Sequence, residues 1–581
     1  MKQTLLWGLP YIKKYKFRLA FGFIVNILSM LTFLINPYVA GRIVADVIQA
    51  GRHYLLSHYL LIMISVTIIR STVRYCCRIH SEETSQRILF ELRRDVYHKL
   101  HNQNFTWFDK NKVGDIMSRM TGDLEAIRSF LAFDIIAIPE SILLYVAAII
   151  VMGIINLPLT LAMVVLAPVI MIASYKQAIE IKPAFRDVRE QFSRLNSVCA
   201  ENISGNRVVK AFTQEDFEIE KFTGANQAFY DSNIKTAEVR VKYMPIMESC
   251  AAMLPLILMF LGSILVIGGH VELWQIVTIS GYLWMLDMPT RMFSWYVNNM
   301  QNFVTSLEKV HEMMRQRIYI ESPHTPVKLE TGNRVQGYVE FRGAGFCYDI
   351  YAAEPYVLRD ISFSVAKGQT VGIVGGTGAG KTTLVNLISR FYDVQEGAVL
   401  VDGVNVKDYD IQDLRQGIAY AMQDVFLYSD TVEGNIVYGV PDAEMDVVYD
   451  AAAVTDVDSF VRHLPEGYDT IVGERGVGLS GGQKQRLSLA RAIASEPSIL
   501  ILDDVTSAVD METEQRIQEA LAKRVKGTTT FIVAHRLSAV KSADLIIVLQ
   551  DGEIIERGTH EELTVLGGYY AQLYEEQRGT K

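Results

Sequence analysis

Residues 375–382 have the spacing of a phosphate-binding loop. The segment consists of Gly375, Gly376, Thr377, Gly378, Ala379, Gly380, Lys381 and Thr382, which matches G-x-x-x-x-G-K-[ST] in full. Glycines let backbone N–H groups curl around a phosphate, the lysine neutralises its charge, and the threonine hydroxyl can reach Mg²⁺. Residues 369–374 have a buried-strand pattern before the loop, and a helical pattern follows it. Strand, loop and helix therefore come in the order that a phosphate site requires.

A second set of residues with phosphate and metal chemistry lies further along the chain. Residues 499–502 predict another buried strand, which ends in Asp503, an oxygen ligand of the kind that Mg²⁺ prefers. Upstream, Ser480, Gly481, Gly482 and Gln483 open a helix, and a glycine pair at a helix start is a further phosphate site. Two such sites in one domain favour a head-to-tail pair of domains that share nucleotides. Taken alone, the second motif is also explained as a simple capped helix.

The strands and helices that carry these motifs belong to an α/β pattern that begins near Val339. The residues before it are of another kind, since long uncharged stretches lie within residues 1–320 and a Pro-containing linker follows them. We therefore predict an α-helical membrane domain over residues 1–320, a linker over 321–338 and a nucleotide-binding domain over 339–581. The fold class expected is a helical membrane domain followed by an α/β ATPase domain.

Six membrane spans are predicted, because a span needs about 20 mostly apolar residues. The candidate stretches are residues 19–40, 54–69, two within the uncharged segment 140–176, 249–269, and a sixth from 273 onward. Asn156-Leu157-Pro158 supplies the turn inside the long segment. The first stretch lacks a small-residue cleavage site, so we expect it to remain attached. Residues 82–100 and 186–202 are strongly helix-forming, and we expect these helices to project into the cytosol.

The distribution of charge fixes the expected orientation. The first 320 residues contain 33 basic and 26 acidic residues, a balance of +7, which leaves −16 for the remainder of a chain whose overall charge is −9. The basic residues cluster near the N-terminus and in the segments 70–128 and 176–242, which predicts that these segments and both termini are cytoplasmic. The acidic balance argues against nucleic acid as a partner. The five cysteines are too few for a disulfide framework, and we interpret them as reduced packing residues.

The ordered motifs resemble those of an ABC exporter half-transporter, and the resemblance extends over essentially the whole chain. It implies that the cofactors are ATP and Mg²⁺, with Thr382, Gln423 and Asp503 as the metal-binding residues. Tyr348 would stack on adenine, Thr383 would contribute to the nucleotide site, and His535 would contact the γ-phosphate as a switch residue. Residues 480–483 would be the signature motif that completes the ATP site of a second half-transporter.

Further segments resemble the same family. Residues 108–116 with Ser118-Arg119, and residues 201–205, imply short coupling helices that dock onto the ATPase domains. Ser507-Ala508-Val509-Asp510 resembles a loop that contacts the opposite ATPase domain, and Glu474-Arg475-Gly476 resembles a short cross-contact before the signature.

Asp504 departs from the family pattern, which places a glutamate after the magnesium aspartate as general base or water-orienting group. Aspartate is one methylene shorter, which retracts the carboxylate by roughly 1.5 Å, and a misplacement of about 1 Å can cost on the order of 10²-fold in rate. The resemblance then implies a heterodimer in which this chain holds the degenerate site and lends its intact signature to a competent one. Because His535 is retained, a homodimeric multidrug or lipid exporter with slow hydrolysis remains an alternative.

The sequence leaves several hypotheses open about which membrane residues contact a substrate. Asp287 and Arg291 flank Pro289 in the sixth span, and they can form an ion pair, contact a cavity or mark a kink. A role in lining an adaptable apolar cavity and a lipid-facing or packing role explain the nearby aromatic and methionine residues equally well; these are Tyr282, Trp284, Met285, Met288, Met292, Phe293, Trp295 and Tyr296. Glu140 and Glu248 lie nearer the ends of their spans, which favours an interfacial role.

The expected function is ATP-driven export of an apolar or amphipathic small molecule, lipid or peptide from a bacterial plasma membrane. The absence of a protease-like N-terminal extension disfavours a peptide-maturing exporter. An ATP-gated regulatory subunit is the alternative from another class. A soluble ABC ATPase of nucleic-acid metabolism is disfavoured by the predicted spans and the acidic balance.

Overall fold

The computed structural model describes residues 2–329, 334–349, 356–473, 476 and 478–579, with the side chains of residues 2, 167, 289–291, 293, 294 and 579 left out. The chain divides into two compact units. The first consists of Met1–His101 and Val113–Gln316, and the second of Asn102–Lys112 and Arg317–Lys581. The first unit is helical and the second is α/β. This confirms the predicted fold class.

Among the described residues, thirteen α-helices precede the first strand. In chain order they are α1 (Lys2–Lys14), α2 (Lys16–Leu31), α3 (Ile35–Arg42), α4 (Leu56–His101), α5 (Phe105–Lys110), α6 (Val113–Ser118), α7 (Leu124–Ser129), α8 (Ile135–Ile155), α9 (Leu157–Val164), α10 (Ala167–Ser204), α11 (Asn206–Phe212), α12 (Glu215–Ile267) and α13 (Leu273–Arg315). π-Helical segments at Ile43–Gln49, Arg119–Asp123 and Phe130–Asp134 join shorter helices into longer rods.

Five of these rods are long and apolar enough to cross a membrane. They cover Lys16–Gln49, His53–His101, Val113–Ile155, Leu157–Ser204 and Glu215–Ile267 among the described residues. The predicted sixth span corresponds to α13, a continuous helix of 43 residues. The predicted turn is confirmed, because α8 ends at Ile155 and the Asn156 side chain accepts a hydrogen bond from the Leu159 N–H at 3.1 Å to cap α9. The predicted helices at 82–100 and 186–202 are the continuous ends of α4 and α10.

The core of the first unit selects packing for two side chains whose role was open and corrects the expectation for one cysteine. Tyr282 and Met285 of α13 are fully buried in a hydrophobic cluster, and the Tyr282 hydroxyl donates to the Leu34 carbonyl at 2.5 Å. These two residues therefore pack against neighbouring helices and do not line a cavity. All five cysteines are free thiols, as predicted, but Cys76 is exposed, so its interpretation as a packing residue was wrong.

Two sheets form the core of the second unit. The strands are β1 (Val339–Phe346), β2 (Leu358–Val365), β3 (Thr370–Gly375), β4 (Glu396–Val401), β5 (Val404–Asn405), β6 (Ile418–Ala421), β7 (Ile499–Asp503), β8 (Thr529–Val533), β9 (Leu545–Gln550) and β10 (Glu553–Gly558). The larger sheet has the order β10-β9-β3-β8-β7-β6, in which all neighbours except β10 and β9 run parallel. The smaller sheet is antiparallel, with the order β2-β1-β4-β5.

Nine further helices are described in the second unit, of which the first seven lie between strands and the last two follow β10. They are α14 (Lys381–Ile388), α15 (Ile411–Gln416), α16 (Val432–Ile436), α17 (Met445–Val454), α18 (Asp458–Val461), α19 (Gly481–Ala494), α20 (Met511–Arg524), α21 (His560–Leu566) and α22 (Tyr569–Gly579). Because β3 and β7 are parallel and both flank β8, their carboxyl ends meet at one edge. The phosphate loop and Asp503 come directly after or at these ends, so the topology brings them together.

The short helix α5 belongs to the second unit. The Phe105 ring lies 4.5 Å from the ring of Phe391, and the Tyr392 hydroxyl donates to an Asp109 carboxylate oxygen at 3.0 Å. The first of the two expected coupling segments therefore packs against residues of the ATPase fold through both aromatic area and a charge-assisted hydrogen bond.

Candidate active site

The phosphate loop curls between the end of β3 and the start of α14. Gly378 and Gly380 have φ angles of 83° and 95°, a region that side chains with a Cβ rarely occupy. A Cβ on Gly380 would also lie 2.8 Å from the Leu358 side chain. The loop conformation therefore requires glycine at both positions, and it leaves the N-terminus of α14 open toward the loop, where an anion is favoured.

Lys381 is held inside this loop. Its ammonium group donates to the carbonyls of Gly375 and Gly376 at 3.0 and 2.8 Å, and the residue is 6% exposed. Burial lowers the pKa of Lys381, and the carboxylates of Asp503 and Asp504 oppose that shift. A buried cation bonded to neutral carbonyls is poorly compensated, so the site gains free energy when phosphate oxygens approach.

Asp503 and Thr382 form the candidate magnesium site. The Thr382 hydroxyl donates to one Asp503 carboxylate oxygen at 3.1 Å, and the Tyr420 hydroxyl donates to the other at 3.2 Å. Burial raises the pKa of Asp503, which is 2% exposed, while the two hydroxyl donors oppose the shift. A hydroxyl oxygen beside a buried, destabilised carboxylate is a donor set that fits Mg²⁺, which binds through hard oxygen ligands.

Tyr420 was not among the predicted site residues. It lies on β6 opposite Ile501 of β7, and its ring stacks on Phe391 with 5.8 Å between centroids. The signal available in the sequence was weak, because a tyrosine in a short apolar strand is usually a packing residue. Only the pairing of β6 with β7 shows that its hydroxyl reaches the magnesium aspartate.

Tyr348 stands beside the start of α14. Its hydroxyl lies 3.0 Å from the Thr383 hydroxyl, and its ring meets the edges of Phe346 and Tyr392 at 4.8 and 5.1 Å. Tyr348 remains 40% exposed, so part of the ring is available for a planar ligand.

Asp504 has a strained backbone that neighbouring groups hold in place. Its φ angle is 50°, in the left-handed region. Its N–H donates to the Val533 carbonyl at 3.0 Å, and its own carbonyl accepts from the Ser507 hydroxyl at 3.1 Å. Because these bonds fix the backbone, the direction and the reach of the carboxylate are set by the length of the side chain.

The signature residues cap α19 and contact the loop that follows Asp504. Ser480 and Gln483 form a reciprocal capping box, with bonds of 2.8 and 3.3 Å. A Cβ on Gly482 would lie 2.8 Å from the Ala508 carbonyl oxygen, whereas one on Gly481 would meet the Ala508 Cβ at an ordinary 3.6 Å.

Gln485 is a second residue that the sequence analysis missed. Its amide donates to the Ser507 hydroxyl at 3.1 Å and accepts from the Ala508 N–H at 3.0 Å. It thereby fixes the signature helix to the loop at residues 507–510. In the part of the chain that the structure describes, no hydrogen bond joins this assembly to the phosphate loop, so the two phosphate sites are separate groups of residues.

The remaining predicted site residues are either exposed or lie outside the described part of the chain. Gln423 follows β6 and is exposed, and so is His535, whose carbonyl accepts from the Gln577 amide at 3.0 Å. Glu474 and Arg475 of the expected cross-contact lie outside the described residues, as does the side chain of Arg291, for which an ion pair with Asp287 was one of three hypotheses. The roles of these residues stay predictions.

Comparisons with known proteins agree with this geometry. Residues 19–289 match the family model of the ABC transporter transmembrane region, and residues 358–507 match that of the ABC transporter ATPase. The ABC transporter ATP-binding protein YknU of Bacillus subtilis is 35% identical over 578 residues, which cover 99% of this chain and 97% of that protein.

Two further proteins are similar to this chain over almost its whole length. YgaD of the same organism, whose name assigns it provisionally to multidrug export, is 32% identical over 97% of this chain and 98% of its own length. The solved structure of a bacterial Atm1-family ABC exporter with ATP bound has a TM-score of 0.79 and 25% identity, and covers 97% of this chain and 98% of that one. The chain therefore belongs to the ABC transporter family, as a multidrug-type exporter half-transporter that joins one transmembrane region to one ATPase domain.

Proposed function

We propose that this ATP-driven exporter subunit works as one half of a heterodimer, in which its own ATP site hydrolyses slowly or not at all. The observation that carries the proposal is Asp504, a short carboxylate on a fixed backbone, beside an intact signature. A carboxylate one methylene short cannot approach the attacking water by backbone adjustment, because the Asp504 N–H and carbonyl are both engaged. Loss of roughly 10²-fold in hydrolysis follows from a misplacement of about 1 Å.

Binding of nucleotide is expected to survive at this site. Lys381, Thr382 and Asp503 form the phosphate and metal contacts independently of Asp504, and Tyr348 offers its open face to adenine. When bound, Mg²⁺ would neutralise charge on the β- and γ-phosphates. Lys381 would exchange its two carbonyl partners for phosphate oxygens, and His535 would contact the γ-phosphate and register its loss.

Two features support a partner chain. The signature helix and the phosphate loop are separate groups, so each needs a complementary group from elsewhere. In addition, α11, which directly follows the second expected coupling segment at residues 201–205, presents apolar side chains, since Val208 and Phe212 are 61% and 72% exposed. Apolar groups at the tip of a cytoplasmic projection are explained by contact with the ATPase domain of the partner.

The membrane half supports transport of an apolar or amphipathic compound. Trp284, Met288, Met292 and Trp295 follow one face of α13 and are 41%, 51%, 38% and 49% exposed. Methionine and tryptophan form adaptable apolar surfaces that accept varied ligands. ATP-driven closure of the two ATPase domains would be transmitted through α5 and α11 to these helices, which then open to the outside. Basic segments near the spans support a bacterial plasma-membrane location with both termini in the cytoplasm.

The test of the heterodimer is purification with native neighbours. A stoichiometric second half-transporter that carries glutamate at the position matching Asp504 is the expected result. In that assembly Asp504→Asn should leave most of the ATPase turnover intact, while Ser480→Arg, which blocks the signature, should abolish it. An active homodimer of this chain alone, in which Asp504→Asn removes all turnover, would contradict the proposal.

His535 favours a second candidate, a homodimeric exporter with slow hydrolysis at two equal sites, because the residue that contacts the γ-phosphate is retained. Turnover at both sites in single-turnover measurements would identify it. A regulatory subunit gated by ATP is separated from both candidates by ATP-dependent uphill uptake into inside-out vesicles, which only an exporter performs.

A further inference from the structure

Three arginines of α4 form a stripe along one side of this helix. Arg70, Arg74 and Arg78 are spaced four residues apart, so they lie on one face of the helix. Arg70 directly follows the predicted span 54–69, and Arg74 and Arg78 lie one and two turns further along α4, so the stripe begins at the cytoplasmic end of that span. Arginine at the end of a span carries its charge at the membrane interface, where it can meet the head group of an anionic molecule.

The stripe is directed at aromatic rings of other helices. The Arg70 and Arg74 guanidinium carbons lie 4.3 and 5.6 Å from the centre of the Phe33 ring, and that of Arg78 lies 3.6 Å from the centre of Phe133. Such cation–π contacts hold a guanidinium in place without neutralising its charge. The positive charges therefore remain available to an anion.

Acidic groups compensate only part of this charge. Glu140 of α8 lies 3.8 Å from Arg74 and accepts from the Asn26 amide at 3.0 Å. Glu82, one turn beyond Arg78 on α4, pairs with Arg128. Among the described residues, neither Arg70 nor Arg78 makes an ion pair; Glu140 pairs with the stripe through Arg74, and Glu82 and Glu140 act on the charge of Arg78 at longer range. The Arg74 side chain is still 57% exposed.

The apolar face of α13 adjoins the stripe. The Phe33 ring that supports Arg70 also contacts the Trp284 ring at 5.5 Å between centroids. Trp284 begins the exposed face that continues through Met288 and Met292. A charged end and an apolar extension are thereby joined at Phe33, which is the pattern that an amphipathic molecule would match.

The geometry points to a binding site for an amphipathic anion, with a phosphate or carboxylate head between Arg70 and Arg74 and an apolar body along Trp284, Met288 and Met292. This names the substrate class for the proposed export function and rests on it. The head group can belong to an anionic lipid of the inner leaflet or to a free amphipathic anion, because both present the same chemistry to the guanidinium groups.

The test is equilibrium binding to the full exporter assembly in phosphatidylcholine nanodiscs, without nucleotide. The probes are dodecyl phosphate and, as its cationic counterpart, dodecyltrimethylammonium. Dodecyl phosphate should bind more tightly. The double variant Arg70→Gln/Arg74→Gln should weaken that binding roughly tenfold, and the double variant to lysine should restore part of it. Glu140→Gln should tighten it, because a competing carboxylate is removed while the Asn26 bond can persist.

Arg87→Gln is the matched control, since Arg87 lies on the same helix about 20 Å further along and pairs with Glu83. It should leave binding unchanged. Equal affinity for the two probes, or an affinity that the glutamine variants do not alter, would overturn the inference. Thermal unfolding of each variant identifies any that fails to fold, in which case Glu140→Gln alone decides the outcome.

A second measurement distinguishes the source of the anion. Nanodiscs that also contain phosphatidylglycerol are analysed by native mass spectrometry. Retention of phosphatidylglycerol by the wild type and its loss from the glutamine double variant indicates a lipid, whereas dodecyl phosphate binding without such retention indicates a free amphipath. Binding of a fluorescent ATP analogue is recorded in the same preparations. If the assembly binds ATP and transports substrate but shows no preference for anions, only the inferred anion site is contradicted. If it neither binds ATP nor transports substrate, the proposed export function is contradicted as well.

Discussion

At the residue scale, the main contrast is between the two consecutive aspartates of the site. Asp503 has both carboxylate oxygens engaged by hydroxyl donors from separate elements, whereas the position of Asp504 is controlled through its backbone. A left-handed φ of 50° is tolerated better by aspartate than by most residues. The short side chain thus fits the local backbone while it reduces reach toward a nucleophile.

We predict that Asp504→Glu raises ATP turnover at this chain's own site by up to about 10²-fold, because it restores the reach of the carboxylate. The added methylene in a left-handed conformation should lower the melting temperature slightly. The measurement is ATPase activity of an assembly whose partner glutamate is replaced by glutamine, so that only this site turns over. Asp504→Asn is the control and should remain inactive. Unchanged turnover in Asp504→Glu would show a further defect in the site.

The Tyr420→Phe substitution tests whether the Tyr420 hydroxyl stabilises the charged carboxylate of Asp503, the candidate magnesium ligand. Loss of the hydroxyl donor should raise the pKa of Asp503 further, since that donor opposes the effect of burial. Because the deprotonated carboxylate binds Mg²⁺, affinity for MgATP should fall several-fold, and the deficit should grow as the pH is lowered toward the raised pKa of Asp503. Tyr468→Phe is the matched control, because its hydroxyl donates to Asp458 at 3.1 Å away from the phosphate loop. A deficit independent of pH would contradict this account.

At the element scale, a few side-chain contacts fix the short helix α5 and the signature helix α19 to neighbouring segments. Helix α5 reaches the ATPase fold through Phe105 and Asp109, and the neighbouring Tyr392 also supports the ring of Tyr348. The signature helix α19 reaches the loop after Asp504 through Gln485. Each link consists of a few hydrogen bonds or rings, so a single substitution can weaken one link without unfolding either element.

Tyr392→Phe removes the hydrogen bond to Asp109 and keeps the aromatic packing. We expect basal ATPase activity to persist and stimulation by transported substrate to decrease, because α5 is held less firmly. Burial and Asp109 raise the pKa of Tyr392, so the hydroxyl stays protonated across the usable pH range and the effect should not depend on pH. Tyr468→Phe, which removes the hydrogen bond from the Tyr468 hydroxyl to Asp458, serves as control. Full stimulation in Tyr392→Phe would show that the aromatic contacts suffice.

The signature glycines are expected to differ in their tolerance of a methyl group. Gly482→Ala places a Cβ 2.8 Å from the Ala508 carbonyl oxygen, and such overpacking against backbone costs about 1–3 kcal/mol. Gly481→Ala meets an ordinary contact of 3.6 Å. Thermal unfolding of the two variants should therefore show a clear decrease for Gly482→Ala and little change for Gly481→Ala. Equal melting temperatures would contradict the close approach of α19 to residue 508.

At the scale of the whole molecule, the chain has functional groups that it cannot complete alone. The apolar tip of α11 is exposed, and the signature and phosphate loop are not joined by a hydrogen bond within the described residues. Val208→Asp/Phe212→Asp should therefore weaken association with the partner and leave the folding of this chain unchanged. Val565→Asp is the control, because Val565 is 88% exposed on α21. Size-exclusion chromatography and thermal unfolding together test the prediction, and intact assembly would contradict it.

The sequence by itself determined the local features of this protein. The length of its apolar runs, the placement of Asn156 and the glycines of the phosphate loop predicted the helical hairpin, the fold class and the loop, because backbone conformation and transfer to lipid depend on neighbouring residues. The resemblance of the motifs then identified the family.

Tertiary structure alone decided which distant side chains meet. Tyr420 contacts Asp503 because β6 pairs with β7, and Gln485 fixes the signature helix because α19 lies against the loop at residue 508. The arginine stripe of α4 faces Phe33 and Phe133, while the sequence showed only basic residues near a span. Such contacts arise from the packing of elements far apart in the chain, and neither residue type nor spacing encodes them.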